Sequence, residues 1–120
     1  MEQKLIETVI VKAVEQVPEL SGKVFPLNAP EKECTPFCVY VTRAATEADS
    51  LGGWLGNYDA EIELNILHQT YKEMKKLSSD VVEQLKNVEE ATITISEDAP
   101  EIFEQDIQAY RKIISINLMY

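Results

Sequence analysis

Basic residues are scarce in this sequence, which has 11 Lys and Arg against 21 Asp and Glu in 120 residues. The formal net charge of −10 argues against proteins that grip nucleic acid or adsorb to anionic lipid, because both need a basic surface. No Lys or Arg lies between Lys86 and Arg111. We call residues 87–110 the acidic interval, and expect either a solvated loop and strand edge or a surface for a partner. Its carboxylates are Glu89, Glu90, Glu97, Asp98, Glu101, Glu104 and Asp106.

Long hydrophobic runs are missing as well. None approaches the roughly 18 apolar residues that a membrane-spanning helix needs. Near the N-terminus, Glu2 and Glu7 stand where a signal peptide has a basic and then an apolar stretch. We therefore expect the protein to be made and kept in the cytosol.

Cysteine and histidine, which build many metal and nucleophilic sites, are few. Cys34 and Cys38 do not amount to a disulfide framework. A zinc site would need two more soft ligands, and the only histidine is His68. Three glycines lie within residues 51–56, but without the Lys-Ser/Thr pair of a phosphate-binding loop. We expect buried or half-buried thiols, and no metal, cofactor or catalytic residue.

The hydrophobic pattern predicts a single α+β domain over residues 1–120. Apolar residues at three- and four-residue spacing predict helices at 2–17 and 71–86, and Thr70-x-x-Glu73 is a capping box for the second. Alternation predicts strands at 24–27, 37–43, 58–68, 91–96 and 110–120, whereas 101–109 is ambiguous between an extended stretch and a short helix. The expected fold is an antiparallel sheet of about four to five strands with two helices packed on one face, in the order α-β-β-β-α-β-β.

Three carboxylates alternate along the predicted strand 58–68. A period of two places Asp59, Glu61 and Glu63 on one face, at about 7 Å intervals. A solvated outer face is the simplest interpretation. The alternatives are a magnesium site for phosphodiester cleavage, since carboxylates bind that cation, and the lumen of an assembly that uses negative potential.

Residues 44–57 are longer than a tight hairpin turn requires, and they are rich in glycine around the single tryptophan. Large apolar and aromatic residues near loops suit a contact between subunits, where aromatics are enriched. The candidates for this contact are Leu51, Trp54, Leu55, Tyr58 and Phe103.

Four short motifs follow one another along the chain. They are GKVFPLNAP (22–30), TPFCVY (35–40), TY (70–71) and YR (110–111). With the alternating strand between them, the chain from about residue 5 to residue 120 resembles the small tail-completion proteins of long-tailed bacteriophages and prophages, the tail terminator or tail-to-head joining family. Residues 44–57 and the acidic interval near Phe103 do not map onto the family pattern.

The resemblance implies a structural virion protein, an α+β subunit of a ring that is expected to be a hexamer. Such a ring caps the tail tube, meets the head connector proteins and lets DNA pass without specific binding. It implies a place in the virion tail, with assembly in the host cytoplasm, and no membrane. Asp59, Glu61 and Glu63 are then candidates to face the lumen, where negative charge lets the polyanion slide. Two alternatives stay open: a divalent-metal-dependent phosphodiesterase using the same carboxylates, and an acidic bacterial adaptor that binds another protein.

Overall fold

The computed structural model describes residues 3–27, 29, 34–47, 58–89, 91–97 and 99–119. Helix α1 spans Gln3–Glu15, a one-turn 3-10 helix spans Pro18–Leu20, and helix α2 spans Tyr71–Lys86. The predicted N-cap is confirmed at α2, where Oγ1 of Thr70 accepts a 3.3 Å hydrogen bond from the backbone N–H of Glu73. The reciprocal bond of a capping box is replaced, because the backbone N–H of Thr70 donates to Nδ1 of His68 at 3.3 Å. The described helices include none that is long and apolar enough to cross a membrane.

Six strands form one sheet. Five of them follow the order β1-β2-β3-β6-β4, and the sixth, β5, also pairs with β6. The strands are β1 (Val24–Pro26), β2 (Phe37–Glu47), β3 (Tyr58–His68), β4 (Thr92–Ser96), β5 (Ile102–Glu104) and β6 (Ala109–Met119). This is the predicted α+β fold with slightly more strands than expected. Strand β5 lies in the segment that the sequence left ambiguous, and β1 is an edge strand, as its proline indicated.

Most of the sheet is antiparallel, as predicted, but β1 and β2 run parallel. In this parallel register Val24 pairs with Cys38, and Phe25 pairs with Val39. Alternation within a strand carries no information about the direction of its neighbour, which is why the sequence did not reveal this pairing.

Both helices pack on one face of the sheet. Alternate residues of β3, namely Ile62, Leu64 and Ile66, are fully buried. They share one core cluster with apolar residues of α1, such as Val14, and of α2, such as Val81. The intervening residues of β3 therefore lie on the opposite, helix-free face.

Strand β2 extends four residues beyond its predicted end at Arg43 because a β-bulge lets it continue. Thr42 pairs with Ile62 and Ala44 pairs with Glu61, so Arg43 is the extra residue between them. A bulge redirects the side chain at this position without ending the strand. Here the guanidinium reaches Glu63, with 2.9 Å between Nη1 and Oε1.

Leu27, just after β1, has a positive φ of 65°. That conformation costs a non-glycine residue roughly 1–2 kcal/mol, whereas glycine adopts it freely. The side chain is 67% exposed, so its loss removes little packing. Leu27→Gly should therefore raise the free energy of unfolding by about 0.5–1 kcal/mol after the larger backbone entropy of glycine is counted. Urea denaturation measures this, and a less stable variant would contradict it.

Candidate functional site

The predicted carboxylate row lies on the helix-free face of the sheet. Asp59 is exposed, and Glu61 and Glu63 are half-buried. Glu63 is neutralised by Arg43 of β2, whereas neither Asp59 nor Glu61 forms an ion pair with another described residue. The unneutralised negative charge of the row is therefore concentrated at its Asp59 end.

Beyond Glu63 the same face carries a chain of polar side chains that crosses three strands. Asn65, only 3% exposed, donates from Nδ2 to Oε2 of Glu63 at 3.2 Å. Its Oδ1 accepts a 3.1 Å hydrogen bond from Nη1 of Arg111 in β6. Nε of Arg111 lies 3.0 Å from Oε1 of Glu104 in β5, at an angle that makes an ion pair and not an aligned hydrogen bond. With Arg43, these five residues form what we call the polar chain.

The polar chain borders a groove of about 540 Å³ on this face. Apolar side chains of β2 and β3 form its floor, and residues after β1 and before β6 form its walls. The apolar lining consists of Phe37, Val39, Val41 and Leu67 in the floor and Leu27, Ala29 and Ile107 in the walls. Ile107 is 48% exposed. Phe37 and Leu67 in the floor are buried, and Glu63, Asn65 and Arg111 also line the groove. A concave surface with a few fixed polar groups is a candidate binding site.

Three of the seven acids in the acidic interval are paired with bases from other parts of the chain. Lys75 of α2 lies 3.4 Å from Glu101, and Lys112 of β6 lies 3.8 Å from Glu101 and 3.9 Å from Glu97. Together with the pairing of Glu104 described above, these contacts tie three of its acids to α2 and β6. These three acids therefore also make contacts inside the subunit, which the sequence did not reveal.

Glu101 is held in its charged form by its neighbours. The hydroxyl of Tyr71 donates to it at 2.6 Å, and this hydrogen bond, with the nearby ammonium groups of Lys75 and Lys112, lowers its pKa below the ordinary value of 4.5. The pKa of Lys75 is raised, first by its hydrogen bond to Tyr71 and then by Glu101. Since both shifts favour the charged pair, the cluster favours the folded state at neutral pH.

Glu101→Gln should remove this contribution in a pH-dependent way. A carboxyl with a lowered pKa stabilises the folded state above its unfolded pKa, and the effect is lost as the pH falls through the folded pKa. The wild type should therefore be more stable than the variant at pH 7, and the difference should vanish in acid below that folded pKa. Urea denaturation across this range tests the prediction, and a difference independent of pH would contradict it.

Of the five predicted subunit-contact residues, the structure describes two, Tyr58 and Phe103. Leu51, Trp54 and Leu55 lie outside the described residues, and Tyr58 opens β3. Phe103 is 42% exposed and packs against Tyr110, with 4.8 Å between the ring centroids and 60° between the ring planes.

The ring of Tyr110 also contacts Tyr71 of α2, with 5.6 Å between the ring centroids. Phe103, Tyr110 and Tyr71 therefore form an aromatic cluster on the helix side of the sheet. This cluster is on the opposite face from the groove. The contact candidate Phe103 and the lumen candidates Asp59, Glu61 and Glu63 therefore lie on opposite faces of the sheet.

The two thiols differ. Cys38 is fully buried, as predicted, and burial raises its pKa to about 12, which keeps it an unreactive thiol at neutral pH. Cys34 is exposed at the edge of the groove, against the expectation of a buried or half-buried thiol. The described His, Cys, Asp and Glu residues form no group of three or more placed to hold a metal ion.

Sequence reasoning missed the groove and most of the polar chain. Arg43, Asn65, Arg111 and Glu104 come from four strands, and their meeting depends on register. The one usable signal was the position of Asn65, which continues the alternation of the carboxylate row on the same face of β3.

These features define an α+β domain with two helices on one face of a mostly antiparallel sheet and a grooved, partly acidic opposite face. The solved structure of the gp17 protein of bacteriophage SPP1 is similar, with a TM-score of 0.60 over 98% of this chain and 89% of that chain. The sequence identity is 16%, so the similarity is one of fold. No protein-family model and no curated protein sequence matches the chain.

Proposed function

We propose that this chain is a structural subunit of a phage or prophage tail, a tail terminator or tail-to-head joining protein that assembles into a ring. The observation that carries the proposal is the fold, which a bacteriophage protein shares over nearly the whole length of both chains. The order of short motifs, which resembles that of tail-completion proteins, supports it independently of the fold. The ring is expected to be a hexamer that contacts the tail tube protein and head connector proteins, in the virion tail and, during assembly, in the host cytoplasm.

The helix-free face is the surface that we assign to the lumen. Asp59 is exposed there and Glu61 half-exposed, with no compensating base among the described residues. Negative potential on a lumen wall repels the phosphate backbone, so DNA passes without being held. The helices cover the other face, which suits the outside of a ring.

The phosphodiesterase alternative has less support from the geometry. Of its three candidate ligands, Glu63 is already engaged, because one oxygen of that carboxylate binds Arg43 and the other binds Asn65. Both contacts compete with a cation. Incubation with Mg²⁺ or Mn²⁺ and single- or double-stranded DNA should give no cleavage, and cleavage lost in Glu63→Gln would favour the enzyme.

Light scattering across a wide concentration range tests the assembly. Six copies of a 13.6 kDa chain give about 82 kDa, and negative-stain images of that fraction should show rings or short tubes. A monomer at every concentration, with no rings in the images, would argue against the proposal and in favour of the adaptor.

A further inference from the structure

The sheet has different edge strands at its two ends. At the His68 end, the edges are β1 and β5, each three residues long. At the Asp59 end, the strand order is β2-β3-β6-β4, because β1 pairs only with residues 38–40 and β5 only with residues 109–111. The outer edges at the Asp59 end are β2 beyond Tyr40 and β4. No other described strand pairs with either of them.

Strand β4 lacks the features that usually prevent an edge strand from pairing with another chain. Such edges are commonly protected by charged side chains, by proline or by being very short. β1 contains Pro26, and β5 is short and contains Glu104. β4 spans Thr92–Ser96 and contains neither a charged residue nor a proline. Threonine and isoleucine, which favour strands, make up its first four residues. This edge is therefore suited to pair with a further strand.

The direction of each backbone group can be followed from β1 across the sheet. The backbone N–H of Leu27 donates to the carbonyl oxygen of Tyr40 at 2.9 Å, so the backbone groups of Tyr40 face β1. Successive residues of a strand direct these groups to opposite sides. Val41 therefore faces β3, where it pairs with Glu63, and the next residue of β3, Ile62, faces β6.

The same alternation assigns the backbone groups of β4. In β6, Ile116 faces β3, so Asn117 faces β4 and pairs there with Thr94. The amides of Ile93 and Ile95, on either side of Thr94, therefore point away from β6. No described strand lies on that side of β4.

The two outer edges at the Asp59 end match in direction and in face. β2, β3, β6 and β4 alternate in direction, because each of the three pairs is antiparallel. When a rotation about an axis along the strands relates two copies, β4 of one copy runs antiparallel to β2 of the next. The rotation also keeps the helix-free faces on the same side. Beyond its bulge at Arg43, β2 continues over residues 44–47, which is enough chain to pair with residues 92–95 of β4.

We propose that β4 of one copy pairs edge to edge with β2, beyond Tyr40, of a second copy of the chain. Main-chain hydrogen bonds join the copies, as when an extended peptide adds to the edge of a sheet. Because the two edges are different, the contact is head-to-tail, and repetition closes a ring when the rotation allows. The sheet then continues from copy to copy, with Asp59 and Glu61 of each copy on one side. The inference deepens the ring assembly proposed above and rests on it.

Amide hydrogen exchange tests the pairing at individual residues. The amides of Thr92 and Thr94 bond to β6 within the subunit and should exchange slowly at every concentration. Those of Ile93 and Ile95 should exchange rapidly in the dilute monomer and at least about tenfold more slowly in the oligomer. Exchange followed by quenching and mass spectrometry with electron-transfer fragmentation measures each amide. Rapid exchange at Ile93 and Ile95 in the oligomer, or slow exchange already in the monomer, would contradict the proposal.

Cross-linking identifies the strand that pairs with β4. In a Cys34→Ser background, Thr46→Cys/Thr94→Cys places one thiol on each edge. Cys38 is buried and its pKa is raised to about 12, so it does not react. Within one subunit the two edges are three strand spacings, or about 14 Å, apart. A bis-maleimide too short to span that distance should give a denaturing-gel ladder of dimers, trimers and larger species.

Two control variants in the same background separate this contact from its competitors. Thr94→Cys alone should stay at monomer mass, and a dimer would mean that β4 pairs with β4 of another copy, which overturns the head-to-tail arrangement. Thr46→Cys/Glu83→Cys carries its second thiol at an exposed position of α2 and should give no ladder. An equal ladder from this control would mean that the cross-links do not depend on β4, and would also contradict the proposal.

The failure of this inference can be told apart from failure of the ring. If light scattering shows a stable oligomer, but Thr46→Cys/Thr94→Cys gives no ladder and Ile93 and Ile95 exchange rapidly, only the edge pairing is wrong. If the protein stays monomeric at every concentration and forms no ladder, the proposed assembly itself is wrong.

Discussion

Leu64→Ala should lower the free energy of unfolding by about 3–4 kcal/mol, a large share of the 5–15 kcal/mol that a domain of this size has. Leu64 is fully buried at the centre of β3, the middle strand of the sheet. It lies between Tyr40 of β2 and Ile114 of β6. Truncation therefore removes packing between two strands and both helices and leaves a cavity that regular structure on every side keeps from collapsing. Urea denaturation gives the value.

Leu27→Ala is the matched control for Leu64→Ala. The same atoms are removed from a side chain that is 67% exposed, and the positive φ stays as it is. The free energy of unfolding should change by no more than about 0.5 kcal/mol. Equal losses in the two variants would mean that the core is not centred on β3.

The same strand shows why much of the fold could be predicted from sequence. The alternation from Tyr58 to His68 is a local pattern, and it gave the strand and its buried face correctly. The start of α2 is also local, because Thr70 caps it through the backbone N–H of Glu73, three residues on. Patterns of this kind need no knowledge of the rest of the chain.

The remaining features depend on contacts between distant residues. The acidic interval looked like one block of charge, but the bases that neutralise Glu97, Glu101 and Glu104 are on α2 and β6. Arg43 marked the end of a predicted strand, whereas a bulge makes it the partner of Glu63. Net charge and spacing identify the ionisable groups, but register decides which of them are paired.

Pairing in turn changes what the carboxylate row can do. The sequence presented Asp59, Glu61 and Glu63 as equivalent, while the structure leaves the first two as the charges without an ion pair among the described residues. Any electrostatic role of the helix-free face therefore rests on Asp59 and Glu61. This makes a two-residue charge reversal a direct test of the proposed lumen.

Asp59→Lys/Glu61→Lys should convert the helix-free face into one that holds duplex DNA. The change replaces two repulsive charges with two attractive ones. Two phosphate contacts per subunit would make binding about tenfold weaker between 50 and 200 mM salt, and a ring in which several subunits contribute would show a steeper loss. Electrophoretic mobility shifts over a salt series measure this, and the wild type should show no shift.

A second reversal separates location from net charge. Glu19→Lys/Glu83→Lys also changes the formal net charge from −10 to −6, but at exposed positions on the 3-10 helix and α2. Glu83→Lys also removes the ion pair between Glu83 and Lys86. Both side chains are exposed, so this pair contributes little to the free energy of unfolding. If both double variants bind DNA equally, overall charge explains the result and the lumen assignment fails. Binding confined to Asp59→Lys/Glu61→Lys would show that the sign of the charge on the helix-free face, and not the net charge of the chain, decides whether DNA binds there, as the lumen assignment predicts.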